Sequence, residues 1–85
     1  MKNQSKDEYL TKDLGESAAL LCNSIKLIRL QKEGSFYWFV FADKLTCEQI
    51  SSQYWAGDLT VFAKDYYDKM RSLKDRLFAN KEGRL

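Results

Sequence analysis

The sequence predicts one small α+β domain, built in the order β-α-β-β-α-α around a three-stranded sheet with strand order 2-3-1 and helices packed against it. Three observations carry this. The run Phe36-Tyr37-Trp38-Phe39-Val40-Phe41 places large apolar side chains on both faces of one strand, because successive side chains of a strand point to opposite sides. Two helix starts are signalled by capping residues, Asp13 with Glu16 and Thr46 with Gln49. Finally, Phe62, Tyr66, Met70, Leu73 and Leu77 recur at steps of four, four, three and four, the apolar stripe of an amphipathic helix.

Taken in order, Tyr9-Leu10-Thr11-Lys12 is a short first strand after a polar start, residues 1–8, that reads as a disordered N-terminal segment. Asp13 caps a helix whose apolar face is Leu14, Ala18, Leu21 and Cys22, and Asn23 suits the left-handed residue that closes it. Ile25 to Lys32 forms a second strand in which Lys26, Ile28 and Leu30 share one face and Ile25, Leu27, Arg29 and Gln31 the other. Glu33-Gly34 turns the chain into the aromatic strand as a hairpin. Thr46 caps the second helix, Leu45 and Ile50 fit a hydrophobic staple across its first turn, and Gly57 stops it. The long last helix carries the 62–77 stripe, and residues 81–85 form a polar C-terminal tail, so the folded domain is expected over 9–80.

The aromatic strand belongs in the middle of the sheet, between a first and a second strand that run the same way. Its two-sided apolarity requires cover above and below, supplied by helices, by a second copy of the protein, or by a ligand that stacks on rings. The reading adopted puts the first helix on one face and the long last helix on the other.

Composition narrows the function classes. A chain of 85 residues with 45% hydrophobic content is one domain that buries roughly 60 to 65% of its unfolded surface. The longest apolar run, Phe36 to Ala42, falls far short of the about 20 residues that span a bilayer, and the polar start lacks a signal core, so a cytoplasmic protein is expected. Two cysteines, Cys22 and Cys47, and no histidine do not supply a zinc site; both thiols are expected reduced, with Cys22 buried. No metal and no cofactor are expected. No histidine base, phosphate-cradling glycine loop or activated Ser or Cys is present, which points away from an enzyme.

Charge is uneven along the chain. Residues 1–68 hold eight basic and ten acidic groups, whereas residues 69–85 hold six basic and two acidic. Lys69, Arg71, Lys74 and Arg76 therefore form a basic C-terminal helix, suited to phosphates but equally to the helix dipole. Tyr67, off the apolar stripe, joins Tyr54 and Trp55 as a candidate anchor for a partner, and Tyr37 with Phe39 and Phe41 could offer rings for base stacking beside Lys26 and Lys32.

Thr11-Lys12-Asp13-Leu14-Gly15 with Ala18-Ala19-Leu20-Leu21, the strand ending Trp38-Phe39-Val40-Phe41, and Tyr54-Trp55-Ala56-Gly57 followed by Arg71-Ser72-Leu73-Lys74 together resemble a family of small bacterial and phage proteins whose domain has no assigned function. Phe62 departs from the family pattern, where a polar helix-start residue is usual. The resemblance implies a stand-alone domain of cellular or mobile-element genomes and supplies no catalytic residue. The function expected is a non-enzymatic module that binds nucleic acid through Lys69, Arg71, Lys74 and Arg76, with Tyr67 and Tyr37 stacking. Four phosphate contacts would give a salt slope of about −3.6 on duplex DNA. The alternative is a protein-interaction module, as a homodimer, an accessory subunit or a phage-encoded inhibitor, using the second sheet face or the Tyr54-Trp55 edge.

Overall fold

The computed structural model describes residues 7–81, in the order β1 (Glu8–Thr11), α1 (Leu14–Cys22), β2 (Leu27–Glu33), β3 (Phe36–Ala42), α2 (Lys44–Ala56) and α3 (Ala63–Lys81). Glu8, expected in the N-terminal segment, opens β1, and Lys81, expected in the C-terminal tail, belongs to α3. Residues 1–6 and 82–85, Arg84 included, lie outside the described residues.

The strands form one antiparallel sheet in the order β1-β3-β2, with the aromatic strand in the middle as expected. Tyr9 lies opposite Phe41 and Thr11 opposite Phe39 on one side; Leu30 lies opposite Phe39 and Lys32 opposite Tyr37 on the other. Gly34 sits at φ +62° in the two-residue turn between Glu33 and Phe36, a conformation that glycine takes without steric cost at the first position of a tight hairpin.

Strict alternation fails in β2. Leu27 faces Phe41 and Arg29 faces Val40, so Ile28 is an extra residue in the ladder. This bulge brings Leu27 and Leu30, three residues apart, onto the same side of the sheet, where both pack against the core. Ile28 is left exposed. The faces expected from a period of two are corrected accordingly.

The capping residues also shift. Asp13 caps α1 as expected, its carboxylate accepting from the Glu16 N–H at 2.7 Å. Glu16 does not fold back to complete a capping box; the Asp13 N–H is taken by the Thr11 hydroxyl at 3.1 Å, and Glu16 turns into the core. The left-handed residue after α1 is Ser24, at φ +65°, rather than Asn23. Helix α2 is capped by Asp43, whose side chain accepts from the Thr46 N–H, so Thr46 lies inside the first turn and the exposed Leu45 forms no staple. Gly57 ends α2 at φ +80°, as expected.

Phe39 and Phe41 point into one core with Ala18 and Leu20 of α1, Cys47 and Ile50 of α2, and Leu73 of α3. All three helices therefore stand on the same side of the sheet. The expectation of α1 on one face and α3 on the other is wrong: α3 packs chiefly on α1, burying Leu73 against it while Tyr66, Met70 and Leu77 line the edge of the core. Phe62 does not belong to this stripe, being 84% exposed at the start of α3. Cys22, expected to be buried, is only half-buried, and the buried thiol is Cys47. The junction of the helices is tight at Gly15, where an added Cβ would land on the Tyr54 hydroxyl and Tyr66 donates to the Gly15 carbonyl at 3.3 Å.

The other face of the sheet is closed by side chains instead. Arg29 reaches across β3 to both carboxylate oxygens of Glu8 at 3.1 Å and also donates to Gln31. Under this bridge and beside Leu10, Val40 is 0% exposed, because the aliphatic stems of long polar residues cover apolar surface as well as a helix does. Toward the hairpin the cover thins. Phe36 and Trp38 meet edge-on at 5.4 Å, and the Lys12 ammonium lies 4.5 Å from the Phe36 ring centre.

Candidate functional site

Helix α3 has two usable faces, because side chains three, four, seven and eleven apart line up along an α-helix. The face of Tyr66, Met70, Leu73 and Leu77 packs inward. On the outer side, Tyr67, Arg71, Lys74 and Phe78 fall at i, i+4, i+7 and i+11, and Lys81 continues the row. Tyr67 and Phe78 are 57% and 58% exposed, an unusual use of large rings on a helix flank. The Arg71 guanidinium lies 6.0 Å from the Tyr67 ring centre, at the outer limit of a cation–π contact. Two rings and three cations thus share one stripe.

The remaining charges of α3 are placed elsewhere. Lys69 is half-buried and pairs with Asp65 at 3.2 Å, and Lys64 pairs with Asp68 at 3.0 Å. The Arg71–Asp75 spacing does not yield an ion pair among those seen in the described residues. Arg76 lies across a shallow groove from Arg71, with Asp68 and Asp75 in its lining, so the surface beyond Arg71 is of mixed sign. The structure therefore brings together Tyr67, Arg71 and Lys74 of the residues expected in the site and separates Lys69 and Arg76 from them.

The expected aromatic members disperse further. Tyr54 is half-buried at the Gly15 junction, and Trp55, 63% exposed, touches it edge-on with ring centres 5.0 Å apart. Tyr37 shares the helix-covered side of the sheet with Phe39 and Phe41, which are core residues and offer no stacking platform. Phe78 was missed by the sequence reading, and Lys81, expected at the start of the polar tail, belongs to α3. The signal for Phe78 was present as an apolar residue off the buried stripe and in register with Tyr67.

A family model described as Domain of unknown function (DUF5659) matches residues 6–79. The chain belongs to this family. No curated protein and no solved structure matches it. The match confirms the resemblance to a family without assigned function, and it takes in every strand and α3 as far as Ala79, so the outer stripe up to Phe78 lies within the DUF5659 domain. Among the described residues no helix is long and apolar enough to cross a membrane, and no three His, Cys, Asp or Glu side chains gather as a metal site would.

A second polar cluster in the DUF5659 domain is buried. Glu16, 3% exposed, accepts from the Tyr9 hydroxyl at 2.5 Å and the Thr11 hydroxyl at 2.6 Å, and Tyr9 also meets the Ser51 hydroxyl at 3.1 Å. Burial, then the Glu16 carboxylate, pushes the Tyr9 hydroxyl up to about 12. Burial and the Tyr66 hydroxyl push Tyr54 up to about 12, and burial with the Asp43 carboxylate does the same for the Cys47 thiol. Cys22 is raised as well, by burial and its hydrogen bond to Asp65. These thiols and phenols stay protonated at neutral pH and are poor nucleophiles.

The same groups predict how stability responds to base. Folding holds each of these protons more tightly than the unfolded chain does, so their contribution is complete below about pH 9 and is lost as pH rises toward 12. Within their window Tyr9 and Cys47 each remove at most about 1.4 kcal/mol per pH unit, and the more solvent-screened Tyr54 and Cys22 remove less. Urea midpoints are expected to be level from pH 7 to 9 and to fall steeply from 10 to 12. Cys47→Ala should flatten the first part of that fall, and a midpoint unchanged at pH 11.5 would contradict the assignment.

Proposed function

We propose that this domain is a non-enzymatic binding module that holds nucleic acid along the outer stripe of α3. The observation that carries the reading is the row of Tyr67, Arg71, Lys74, Phe78 and Lys81 on one exposed helix face. Cations on such a face neutralise phosphates and release counterions, and rings beside them stack on bases with little regard to sequence. The outer face carries no carboxylate along this row, whereas the flank beyond Arg71 has Asp68 and Asp75. Base-specific readout is not part of the proposal, which rests on phosphate contacts and stacking alone.

The geometry revises the expected salt dependence. With Lys69 and Arg76 off the row and Lys81 on it, three phosphates are within its reach rather than four. The logarithm of affinity should fall against the logarithm of salt with a slope of about −2.7 on duplex DNA or about −2.1 on a single strand. Fluorescence anisotropy of labelled oligonucleotides between low and moderate salt measures this. Lys74→Ala is expected to reduce the slope by about one, Tyr67→Ala to weaken single-strand binding by about 1–3 kcal/mol, and Arg76→Ala to leave both unchanged. Absence of binding at low salt, or equal effects of Arg76→Ala and Lys74→Ala, would remove the proposal.

A further inference from the structure

We propose that the sheet face opposite the helices is a docking surface for a second copy of this chain, related by a two-fold axis that runs along the strands. The register defines this face: Glu8 and Leu10 from β1, Phe36, Trp38 and Val40 from β3, and Arg29, Gln31 and Glu33 from β2, with Lys12 extending β1 over the rings. No helix among the described residues packs on it.

Glu8 and Arg29 neutralise each other across β3 at the Ala42 end, while Lys12 and Glu33 stand on opposite edges toward the hairpin end. A two-fold axis along the strands exchanges the edges and keeps the ends. Each Lys12 then faces the partner copy's Glu33, and the internally paired Glu8–Arg29 bridges lie against one another. A net-neutral face of this pattern attracts neither a polyanion nor a strongly charged peptide. It is complementary to itself, as an isologous interface has to be.

The rings choose between the available axes. Phe36 and Trp38 lie at one end of the face, where the contacts seen among the described residues are with each other, with Lys12 and, through the indole N–H at 2.8 Å, with Glu33. Only the axis along the strands brings ring end against ring end, giving the face-to-face alignment of sheet sandwiches. An axis across the strands would set the rings against the Glu8–Arg29 bridge. The face measures about 23 by 14 Å from strand rise and spacing, which is small for a stable interface. The association is therefore a weak one that dissociates on dilution, and it leaves the outer stripe of α3, on the other side of each copy, unobstructed.

Sedimentation of the full chain over a wide concentration range tests this. The apparent mass is expected to rise from the monomer's 10.0 kDa toward twice that value with increasing concentration. Lys12→Glu alone and Glu33→Lys alone each place like charges at two corners and should weaken association roughly tenfold or more. An equimolar mixture of the two variants restores opposite signs at both corners and should recover the wild-type mass. Circular dichroism of each variant confirms its fold. A monomer at every concentration, undiminished association in both single variants, or a mixture no heavier than its components would overturn the proposal.

Discussion

Phe41→Ala is expected to cost about 3–5 kcal/mol, the range for removing a fully buried aromatic side chain from a core that relaxes only in part. Phe41 is fully buried on the middle strand, paired with Tyr9 on one side and Leu27 on the other, and belongs to the cluster that joins α1, α2 and α3 to the sheet. A domain of this length has about 4–13 kcal/mol of total stability, so the loss takes a large share of it. In urea, where a small domain loses about 1 kcal/mol per molar denaturant, the midpoint should fall by several molar or the variant should be unfolded without denaturant. Val40→Ala provides the contrast. Val40 is equally inaccessible but is roofed by Arg29, Glu8 and Leu10 side chains, which can settle into the space, so its cost should stay near the low end for a lost pair of methyl groups, about 1–2 kcal/mol. Equal losses for the two substitutions, followed by tryptophan fluorescence or circular dichroism, would show that the side-chain roof is as rigid as the helix-packed face.

Glu16→Ala is expected to be the second most damaging change, at about 2–4 kcal/mol. The residue lies where β1, α1 and α2 meet, and its two carboxylate oxygens each take one hydroxyl, from Tyr9 and from Thr11. The Thr11 hydroxyl also accepts from the Asp13 N–H, so its one proton has only Glu16 in place to take it, whereas the half-buried Tyr9 hydroxyl can also donate to Ser51 Oγ at 3.1 Å. Alanine leaves the buried Thr11 donor without an acceptor and Tyr9 with its longer bond alone, and stranding such a group costs more than its bond contributes net. Glu16→Gln should cost about half as much, since its oxygen satisfies one hydroxyl while its amide nitrogen has no remaining acceptor. A double-mutant cycle between Glu16→Ala and Tyr9→Phe should yield a coupling of about 0.5–3 kcal/mol. A coupling near zero would mean that the pair is held by the surrounding packing and not by its short hydrogen bond.

The buried Glu16 shows how one residue can be read correctly in sequence for the wrong reason. Its spacing from Asp13 marked the start of α1, and α1 does start there. The spacing says nothing about where the carboxylate goes, because a capping box and an inward turn into the Tyr9–Thr11 hydroxyls use the same backbone. Asp43 is the converse case. It caps α2 from a left-handed conformation at φ +66°, which a propensity argument does not assign to a non-glycine residue, and so Thr46 stood in for it one turn late. In the candidate site, Tyr67, Arg71 and Lys74 were legible as residue types in the basic helix. Their common row with Phe78 depended on which side of α3 turned inward.

What the sequence determined by itself is the inventory of elements and the place of the aromatic strand. Apolar residues on both faces of Phe36–Phe41 must leave water on both sides, and only the middle of a three-stranded sheet allows that. Tertiary structure alone decided how each face is closed. Hydrophobicity fixes that Val40 is removed from water, yet a helix or a bridge of Arg29 and Glu8 removes it equally well, and the choice rests on long-range partners that no local pattern encodes. The same holds for β2, where one extra residue at Ile28 resets the side-chain alternation: the bulge exists because Leu27 and Leu30 both gain burial against the helices, a reward that appears only once α1, α2 and α3 are in place.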